Sequence, residues 1–184
     1  LWEASLAHGH LPGSLQKAHI ALIFKKGDPG LWKNYRPISL LNTSYKIIAK
    51  ALANRLKNVL SQVVSPDQTG CVPSRFIGEN IMTFLEAQNY CTGRKIPSAY
   101  LFLDFEKAFD RVERPFMFET MRRMGFGPNF VHACDTLYSG SYSQVLLNGQ
   151  LSGKIDVQTG VRQGCPIAAL LYILACEPLA DLFR

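Results

Sequence analysis

Two short apolar stretches in the first part of the chain predict β-strands. The first, "AHIALIF" at residues 18–24, ends in "KKGDPG", whose Gly and Asp-Pro-Gly residues favour a turn. The second, "YRPISLL" at residues 35–41, contains Pro37, which argues against a helix. We expect these two strands to form a hairpin with a basic, glycine-containing tip.

Apolar residues at helical spacing predict several helices in the rest of the chain. Over residues 44–64, apolar side chains recur every three or four positions, which predicts one long amphipathic helix that ends near Ser65 and Pro66. Pro115 is tolerated in a first helical turn, and Gly125 is a typical helix stop. Further helices are predicted at residues 78–90, 115–124, 129–138 and 165–184.

Three other apolar runs have strand character. "AYLFLDF" at residues 99–105 predicts a buried strand that carries Asp104 near its end. "SQVLLNG" and "GKIDVQTG", at residues 143–149 and 153–160, predict a second hairpin with polar, glycine-containing turns. This mixed order of strands and helices favours an α+β architecture over strict alternation of the two.

Length and composition indicate an ordinary folded protein. The 184 residues suffice for one large domain or two small subdomains, and 47% of them are apolar. The longest apolar run is about half of the roughly 20 residues that cross a bilayer, so we expect no membrane partner. The chain begins with Leu1 and shows no basic-then-apolar leader, which suggests a fragment without a visible targeting signal.

The five cysteines are scattered and include no C-x-x-C pair. They are therefore expected to be reduced core thiols of an intracellular protein rather than zinc ligands or a redox site. Charge is unevenly distributed, because residues 1–97 hold twelve Lys or Arg against five Asp or Glu, and residues 98–184 hold eight against nine. The basic half has the charge needed to face phosphates, although solvated surface without a partner remains an alternative.

Asp104 is the first candidate for chemistry. A rigid strand end suits a hard oxygen ligand, because Mg²⁺ requires near-octahedral geometry and often takes one or two carboxylates plus substrate phosphates. The alternative is that Asp104 merely ends the strand or caps the following turn.

Two basic or glycine-containing loops are further candidates. In "GVRQGCP", residues 160–166, the glycines allow close approach of a ligand, and Arg162 and Gln163 supply donors for a phosphate or a base edge. Lys25, Lys26 and Arg36 lie on or near the first hairpin tip, where they would suit a triphosphate. Each loop alone is equally compatible with ordinary turn chemistry.

Five ordered stretches carry a family resemblance. They are "ALIFKKGD", "NYRPISLLNTSYKIIAKALANRL", "DQTGCVPSRFIGENI", "YLFLDFEKAFDRV" and "GVRQGCPIAALLYILACEPLADLF". Together they resemble the reverse transcriptase domain of non-LTR, LINE-like retrotransposons. The resemblance implies a right-hand polymerase fold, with fingers at residues 1–97, a partial palm with a helical insert at residues 98–184, and no thumb.

The resemblance also implies roles for single residues. Asp104 would bind two catalytic Mg²⁺ ions, with help from the Phe105 carbonyl. Phe109 would exclude the ribose 2′-hydroxyl and so select deoxynucleotides. Arg75 and Arg162 would lie on the template side. The other expected contacts with the incoming nucleotide are the Lys25 and Arg36 side chains, the backbone N–H groups of Lys107 and Ala108, and the loop at Gln163 and Gly164.

The implied reaction is template-directed phosphoryl transfer. A primer 3′-hydroxyl would attack the α-phosphate of a dNTP, with two metal ions and the fingers cations stabilising the charge that develops. The implied partners are an RNA template, a DNA primer and the rest of a polyprotein, including the thumb and an endonuclease. An intracellular location is expected, but these residues do not distinguish cytoplasm from nucleus.

The chain departs from the family pattern at its most diagnostic block. No Asp-Asp pair occurs in the sequence, so one metal site lacks a carboxylate and we expect the fragment to be inactive alone. Smaller departures are Cys71 where Phe is usual and Ala168-Ala169 where Ser-Pro is common. One alternative is a catalytically dead remnant that acts at most as a nucleic-acid-binding module, and another is an unrelated metal-binding α+β protein. Asp110 is expected to be structural rather than a second ligand.

Overall fold

Five strands and seven α-helices make up the regular structure of residues 1–183, the part of the chain that this computed structural model describes. The strands are β1 (Lys17–Phe24), β2 (Tyr35–Leu41), β3 (Tyr142–Leu147), β4 (Gln150–Leu151) and β5 (Ile155–Asp156). The helices are α1 (Trp2–His8), α2 (Gly13–Gln16), α3 (Thr43–Val63), α4 (Gly78–Gly93), α5 (Arg114–Arg123), α6 (Pro128–Tyr138) and α7 (Ala168–Asp181). A short 3₁₀ helix, Trp32–Asn34, precedes β2. The predicted α+β class is confirmed.

The strands form one sheet in the order β2-β1-β3-β4, and β5 also pairs with β3. The predicted hairpin of β1 and β2 is confirmed, with Phe24 opposite Tyr35. The second predicted hairpin is also present, since β3 runs antiparallel to both β4 and β5. Local patterns did not predict that β1 and β3 pair in parallel, with Lys17 opposite Tyr142. This pairing joins residues from both halves of the chain in one sheet.

Helix α3 supplies the largest apolar stripe of the core. It begins where the Asn42 side chain accepts a hydrogen bond from the Ser44 N–H at 2.8 Å, an N-cap that satisfies one otherwise unpaired donor. Its buried residues recur at helical spacing: Tyr45, Ala49, Leu52, Ala53, Leu56 and Leu60. Each buried leucine contributes about 1.5–3 kcal/mol relative to an exposed one. The long amphipathic helix predicted from the sequence is therefore confirmed.

The C-terminal end of α3 is tied to the loop that follows and to α7. The Arg75 guanidinium donates to the carbonyls of Ser61 at 2.9 Å and Gln68 at 2.7 Å, and also to those of Val64 and Ser65. The buried Glu177 of α7 accepts a hydrogen bond from the Ser65 N–H at 2.8 Å. The bonds to Ser61 and Val64 satisfy carbonyls at the end of α3, and the others fix the loop that follows this helix.

Helices α5, α6 and α7 complete the core, with α7 packed on both α3 and α5. Pro115 lies in the first turn of α5, as predicted, and Gly125 follows that helix with φ of +87°. Cys134 and Cys165 are buried, whereas Cys71 is exposed, and residues 1–183 contain no disulfide. Burial raises the pKa of the Cys134 thiol to about 12. No helix within residues 1–183 is both long and apolar enough to span a bilayer.

The buried strand predicted at residues 99–105 is wrong. Residues 96–105 have no regular secondary structure, and Leu101 and Phe102 are 78% and 77% exposed. A strand requires a hydrogen-bonded neighbour, and the strands of the described sheet pair with one another rather than with this segment. The Phe102 and Tyr100 rings instead contact Phe84 of α4, at centroid distances of 5.4 and 5.0 Å. Asp104 therefore lies on an exposed segment.

Gly160 is held where its backbone crosses the chain between residues 109 and 112. Its N–H donates to the Val112 carbonyl, and the next N–H, of Val161, donates to the Phe109 carbonyl, both at 2.8 Å. Gly160 has φ of +82°, and a Cβ added there would lie 2.7 Å from the Asp110 carbonyl oxygen. Both the dihedral angle and the close approach therefore require glycine.

We expect Gly160→Ala to lower the free energy of unfolding by about 2–4 kcal/mol, because strain at positive φ adds to a backbone clash. Urea titration followed by circular dichroism measures this difference. Gly153→Ala is the matched control, since no atom lies within 4 Å of its added Cβ. Equal stability of the two variants would contradict the close packing at Gly160.

Candidate functional site

A cavity of about 500 Å³ brings together residues that are far apart in the sequence. It is lined by Lys25, Arg36, Phe109, Gln163, Gly164, Cys165, Ala168 and Ala169. Ligand cavities in proteins typically measure roughly 300–1,000 Å³, so this volume suits a small ligand. The first five lining residues are five of the seven that were expected to contact an incoming nucleotide.

Lys25 and Arg36 reach the cavity from the end of the β1–β2 hairpin. Arg36 is paired with Ile23 in the antiparallel ladder, and the Lys25 N–H donates to the Asn34 carbonyl at 2.8 Å, which extends the ladder by one step. Both side chains are exposed, and neither forms a salt bridge within residues 1–183. Two exposed cations on one cavity wall favour an anionic ligand.

The opposite wall is formed by the loop at residues 160–165 and the start of α7. The Ser39 N–H of β2 donates to the Gln163 carbonyl at 3.0 Å, which fixes the loop beside the hairpin. Gly164 has φ of +101°, and an added Cβ would lie 2.8 Å from the Ser39 carbonyl oxygen. Ala168 and Ala169, in the first turn of α7, line the cavity, and the partial positive charge of this helix end adds to that of the two cations.

Two buried arginines hold this loop in place, and the first of them, Arg162, belongs to the loop itself. The Arg162 side chain donates to the Gln16 and Tyr142 carbonyls and lies 5.6 Å from the centre of the Tyr45 ring. Arg162 is only 4% exposed. The interpretation of Arg162 as a template contact stays a prediction, and its partners in this structure are backbone carbonyls.

The second buried arginine, Arg114 at the start of α5, was not singled out from the sequence. It donates to the carbonyls of Gly160 at 3.0 Å, Val157 at 2.8 Å and Tyr138 at 3.3 Å. Burial lowers the pKa of Arg114 below its usual value. An arginine beside a proline at a helix start gave no indication of this role, because the carbonyls that it binds are distant in sequence.

A stacked pair of rings connects the cavity with a second groove. Phe109 lines the cavity and stacks on Tyr172 of α7, with centroids 5.0 Å apart and ring planes 17° apart. Tyr172 lines a largely apolar groove of about 610 Å³ that also includes Asp104 and Phe105. Burial raises the pKa of the Tyr172 phenol, with smaller contributions from Cys176 and Asp104. Asp104 and the basic cavity therefore flank the two stacked rings.

Lys107 and Ala108 lie in a tight turn between Asp104 and Phe109. Lys107 has φ of +52°, and its carbonyl accepts bonds from the N–H groups of Asp110 at 2.9 Å and Arg111 at 3.2 Å. Within residues 1–183, the N–H groups of Lys107 and Ala108 have no hydrogen-bond acceptor. Neither residue lines the cavity that contains Lys25 and Arg36, and Ala108 instead lines the groove that includes Asp104. Their contact with a triphosphate stays a prediction.

The donors at Asp104 fit a hard cation in type but not in number. The Asp104 carboxylate makes no hydrogen bond or salt bridge within the described residues, and the Phe105 carbonyl is the next oxygen donor along the chain. Both are the oxygen ligands that Mg²⁺ prefers. Across residues 1–183, no group of three or more His, Cys, Asp or Glu side chains is arranged to hold a metal ion. Substrate phosphates or further carboxylates would have to complete such a site.

Asp110 and Arg75 lie outside the cavity lining. The Asp110 carboxylate accepts a long hydrogen bond of 3.5 Å from the Gln163 amide, and the Asp110 carbonyl accepts from Thr159. Arg75 binds the carbonyls at the end of α3. Both sets of contacts stabilise loops, and a template contact by Arg75 stays a prediction.

Comparison with known proteins adds independent information. The family described as "Reverse transcriptase (RNA-dependent DNA polymerase)" matches residues 23–184. The "Transposon TX1 uncharacterized 149 kDa protein" of Xenopus laevis is 43% identical over 96% of this chain, which spans 14% of that relative.

Two Drosophila melanogaster relatives are more distant. The "Retrovirus-related Pol polyprotein from type-2 retrotransposable element R2DM" is 27% identical over 93% of this chain, and 16% of its own length is covered. The "RNA-directed DNA polymerase from mobile element jockey" is 26% identical over 94% of this chain, with 19% of its length covered. The chain thus spans less than a fifth of each of these curated relatives.

We expect Arg162→Gln to lower the free energy of unfolding by about 2–4 kcal/mol, because buried carbonyls lose a charged donor. The measurement is urea denaturation at neutral pH. Arg111→Gln is the matched control. Arg111 is exposed, and within residues 1–183 its side chain pairs with Glu106 alone, so its loss should change stability by less than about 1 kcal/mol. A fully stable Arg162→Gln variant would show that this side chain does not support the loop.

Proposed function

This chain belongs to the reverse transcriptase family of non-LTR retrotransposons, and on that premise we propose that it forms the nucleotide-binding part of an RNA-directed DNA polymerase. The reaction is the addition of deoxynucleotides to a primer 3′-hydroxyl, copied from an RNA template. The observation that carries the proposal is the basic cavity, because it gathers Lys25, Arg36, Phe109, Gln163 and Gly164 from three separate parts of the chain.

In this proposal the cavity holds the triphosphate of the incoming nucleotide. Lys25 and Arg36 contact the phosphate oxygens. The N–H groups of Lys107 and Ala108 lie outside this cavity lining, just before Phe109 in the chain, and are proposed as neutral donors to the part of the triphosphate nearest Asp104. Cations that are already in position stabilise the negative charge that develops during phosphoryl transfer. Gln163 and Gly164 form the wall against which the nucleotide lies, and the lack of a side chain at Gly164 lets this wall pack closely against Ser39 of β2.

Phe109 is proposed to select deoxynucleotides. Its ring is held by the stack on Tyr172 and faces the cavity, so a ribose 2′-hydroxyl would meet a fixed aromatic surface. The hydroxyl would lose its hydrogen bonds to water without gaining a new partner, which disfavours ribonucleotides.

Asp104 and the Phe105 carbonyl are the residues proposed to hold Mg²⁺. When bound, two such ions lower the pKa of the attacking hydroxyl and neutralise charge on the leaving pyrophosphate. The remaining ligands would come from the triphosphate and from the longer polyprotein. The chain on its own is therefore proposed to bind nucleotides but to polymerise poorly.

The domain assignment and the partners are proposed from membership of the family. We propose that residues 1–97 are fingers and residues 98–184 a partial palm, with the RNA template, the DNA primer, a thumb and an endonuclease as partners. The charge of +7 on residues 1–97 supports contact with phosphates, and such binding weakens as salt is added. Template contacts by Arg75 and Arg162 belong to the same proposal.

We expect Lys25→Gln and Arg36→Gln each to weaken triphosphate binding about tenfold, because each removes one charge-assisted hydrogen bond. The measurement is equilibrium binding of dTTP with Mg²⁺ to the 184-residue chain. Lys57→Gln is the matched control, because Lys57 is an equally exposed cation on α3 that does not line the cavity. An equal loss of dTTP affinity in all three variants would show that overall charge, and not the cavity, determines binding.

We expect Asp104→Asn to lower dNTP incorporation roughly a thousandfold, because an amide cannot replace a carboxylate that binds two metal ions. The assay uses an RNA template and a polypeptide extended beyond residue 184 in the same reading frame. Asp110→Asn is the matched control and should retain most activity. Binding of template without incorporation in the unmodified polypeptide would instead favour the nucleic-acid-binding module.

A further inference from the structure

Three aromatic rings cluster at the tip of the β1–β2 hairpin. Phe24 contacts Tyr35 edge to face at a centroid distance of 5.5 Å, and Trp32 lies 6.4 Å from Tyr35. The Trp32 side chain is 69% exposed and Phe24 is 46% exposed. Tyr35 is partly buried between them. Aromatic side chains normally stabilise a protein by burial, so a cluster with two exposed rings suggests a ligand with flat apolar faces.

The loop that carries these rings is held by its own hydrogen bonds. The Asn34 amide donates to the Asp28 carbonyl at 2.8 Å, and the Tyr35 hydroxyl donates to the Pro29 carbonyl at 2.9 Å. The Asp28 carboxylate accepts from the Gly30 N–H at 2.8 Å. Trp32 begins the 3₁₀ helix within this loop. The loop backbone and the Tyr35 ring are therefore held before a ligand arrives, which lowers the entropic cost of binding.

The aromatic cluster is separate from the nucleotide cavity. Successive residues of a strand point to opposite faces of a sheet, so Phe24 and Tyr35 point away from the face that carries Lys25 and Arg36. The cavity lining includes both cations and none of the three rings. The proposed triphosphate site therefore gives no reason for the cluster.

The charge around the rings favours an anionic ligand. Lys26 and Lys33 are exposed and flank the loop, and Lys33 follows Trp32 directly. Asp28 is the acidic residue of this loop, and its carboxylate already accepts a backbone hydrogen bond. Residues 24–36 thus carry four cations against one anion. Flat rings combined with positive charge match single-stranded nucleic acid, whose bases stack while its phosphates pair with lysines.

We propose that the aromatic tip, defined as Phe24, Trp32 and Tyr35 together with Lys26 and Lys33, is a stacking platform for the bases of single-stranded nucleic acid. A duplex fits less well, because its bases are already stacked on one another and offer few free faces. The identification of this strand as the unpaired template rests on the proposed function. The binding itself depends only on the hairpin.

Tryptophan fluorescence tests the platform directly. The chain has two tryptophans, so Trp2→Phe leaves Trp32 as the sole tryptophan. Titration with an unstructured oligoribouridylate of about 12 nucleotides should quench Trp32 emission as bases stack on the ring. In the otherwise unchanged chain, Trp32→Leu should weaken binding of the same oligonucleotide, labelled for anisotropy, by about tenfold.

Matched variants separate stacking from charge and from misfolding. Phe116→Leu removes a ring that is 53% exposed on α5 and should leave affinity unchanged. Lys33→Gln should reduce the slope of log affinity against log salt by about 0.7, whereas Trp32→Leu should leave that slope unchanged. Inorganic polyphosphate has phosphates without bases, so Trp32→Leu should bind it as the unmodified chain does. A normal circular dichroism melt of Trp32→Leu confirms folding.

The proposal is overturned if Trp32 emission does not change when the oligonucleotide is added, or if Trp32→Leu binds the oligonucleotide as tightly as the unmodified chain. It is also overturned if Trp32→Leu loses polyphosphate binding equally, or if emission changes with protein concentration alone, which would identify a second copy of the chain as the ligand. Failure of the proposed nucleotide site can be distinguished from failure of the stacking platform. Trp32→Leu should retain dTTP binding, whereas Lys25→Gln should lose dTTP affinity and keep the quenching of Trp32.

Discussion

The fold and its cavity depend on two buried arginines that have backbone carbonyls, rather than carboxylates, as their hydrogen-bond partners. Arg114 binds the carbonyls of Val157 and Gly160, and Arg162 binds those of Gln16 and Tyr142. A buried cation without hydrogen bonds costs free energy. Movement of any of these segments would remove an acceptor from a guanidinium, so the two arginines hold the segments in place. The aromatic rings of Tyr138 and Tyr45 lie 5.1 and 5.6 Å from the two guanidinium carbons and add cation–π attraction. Each arginine therefore joins backbone segments that are far apart in the sequence.

The position of the cavity follows from this arrangement. The two arginines bind the loop at residues 160–165 to the rest of the core. Backbone hydrogen bonds also join this loop to β2 and to the chain around Phe109. The glycines at 160 and 164 allow those backbones to approach each other closely. Because the loop is fixed against the hairpin, the Lys25 and Arg36 cations share one space with Phe109 and with the start of α7. Rigid support of this kind is what precise binding of a charged ligand requires.

Asp104 has the opposite environment. Its segment is exposed and makes few contacts apart from the rings of Phe84, Tyr100 and Phe102. The carboxylate thus lacks the support that the basic cavity has, although Phe109 and Tyr172 connect the two regions. The proposed nucleotide site is accordingly held by more contacts than the proposed metal site. The aromatic tip of the hairpin adds a third surface, on the face opposite the cavity cations.

The sequence by itself determined most helices and both hairpins, and the family resemblance singled out five of the residues that line the cavity. Helical spacing and the flanking Pro and Gly residues act locally, so α3, α5 and α6 lie within a residue or two of the prediction. Tertiary structure decided the rest. The parallel pairing of β1 with β3 and the carbonyl partners of Arg114 join residues far apart in sequence, which no local pattern encodes. The segment at residues 99–105 has the apolar pattern of a buried strand, but a strand forms only when a neighbouring backbone supplies its hydrogen bonds.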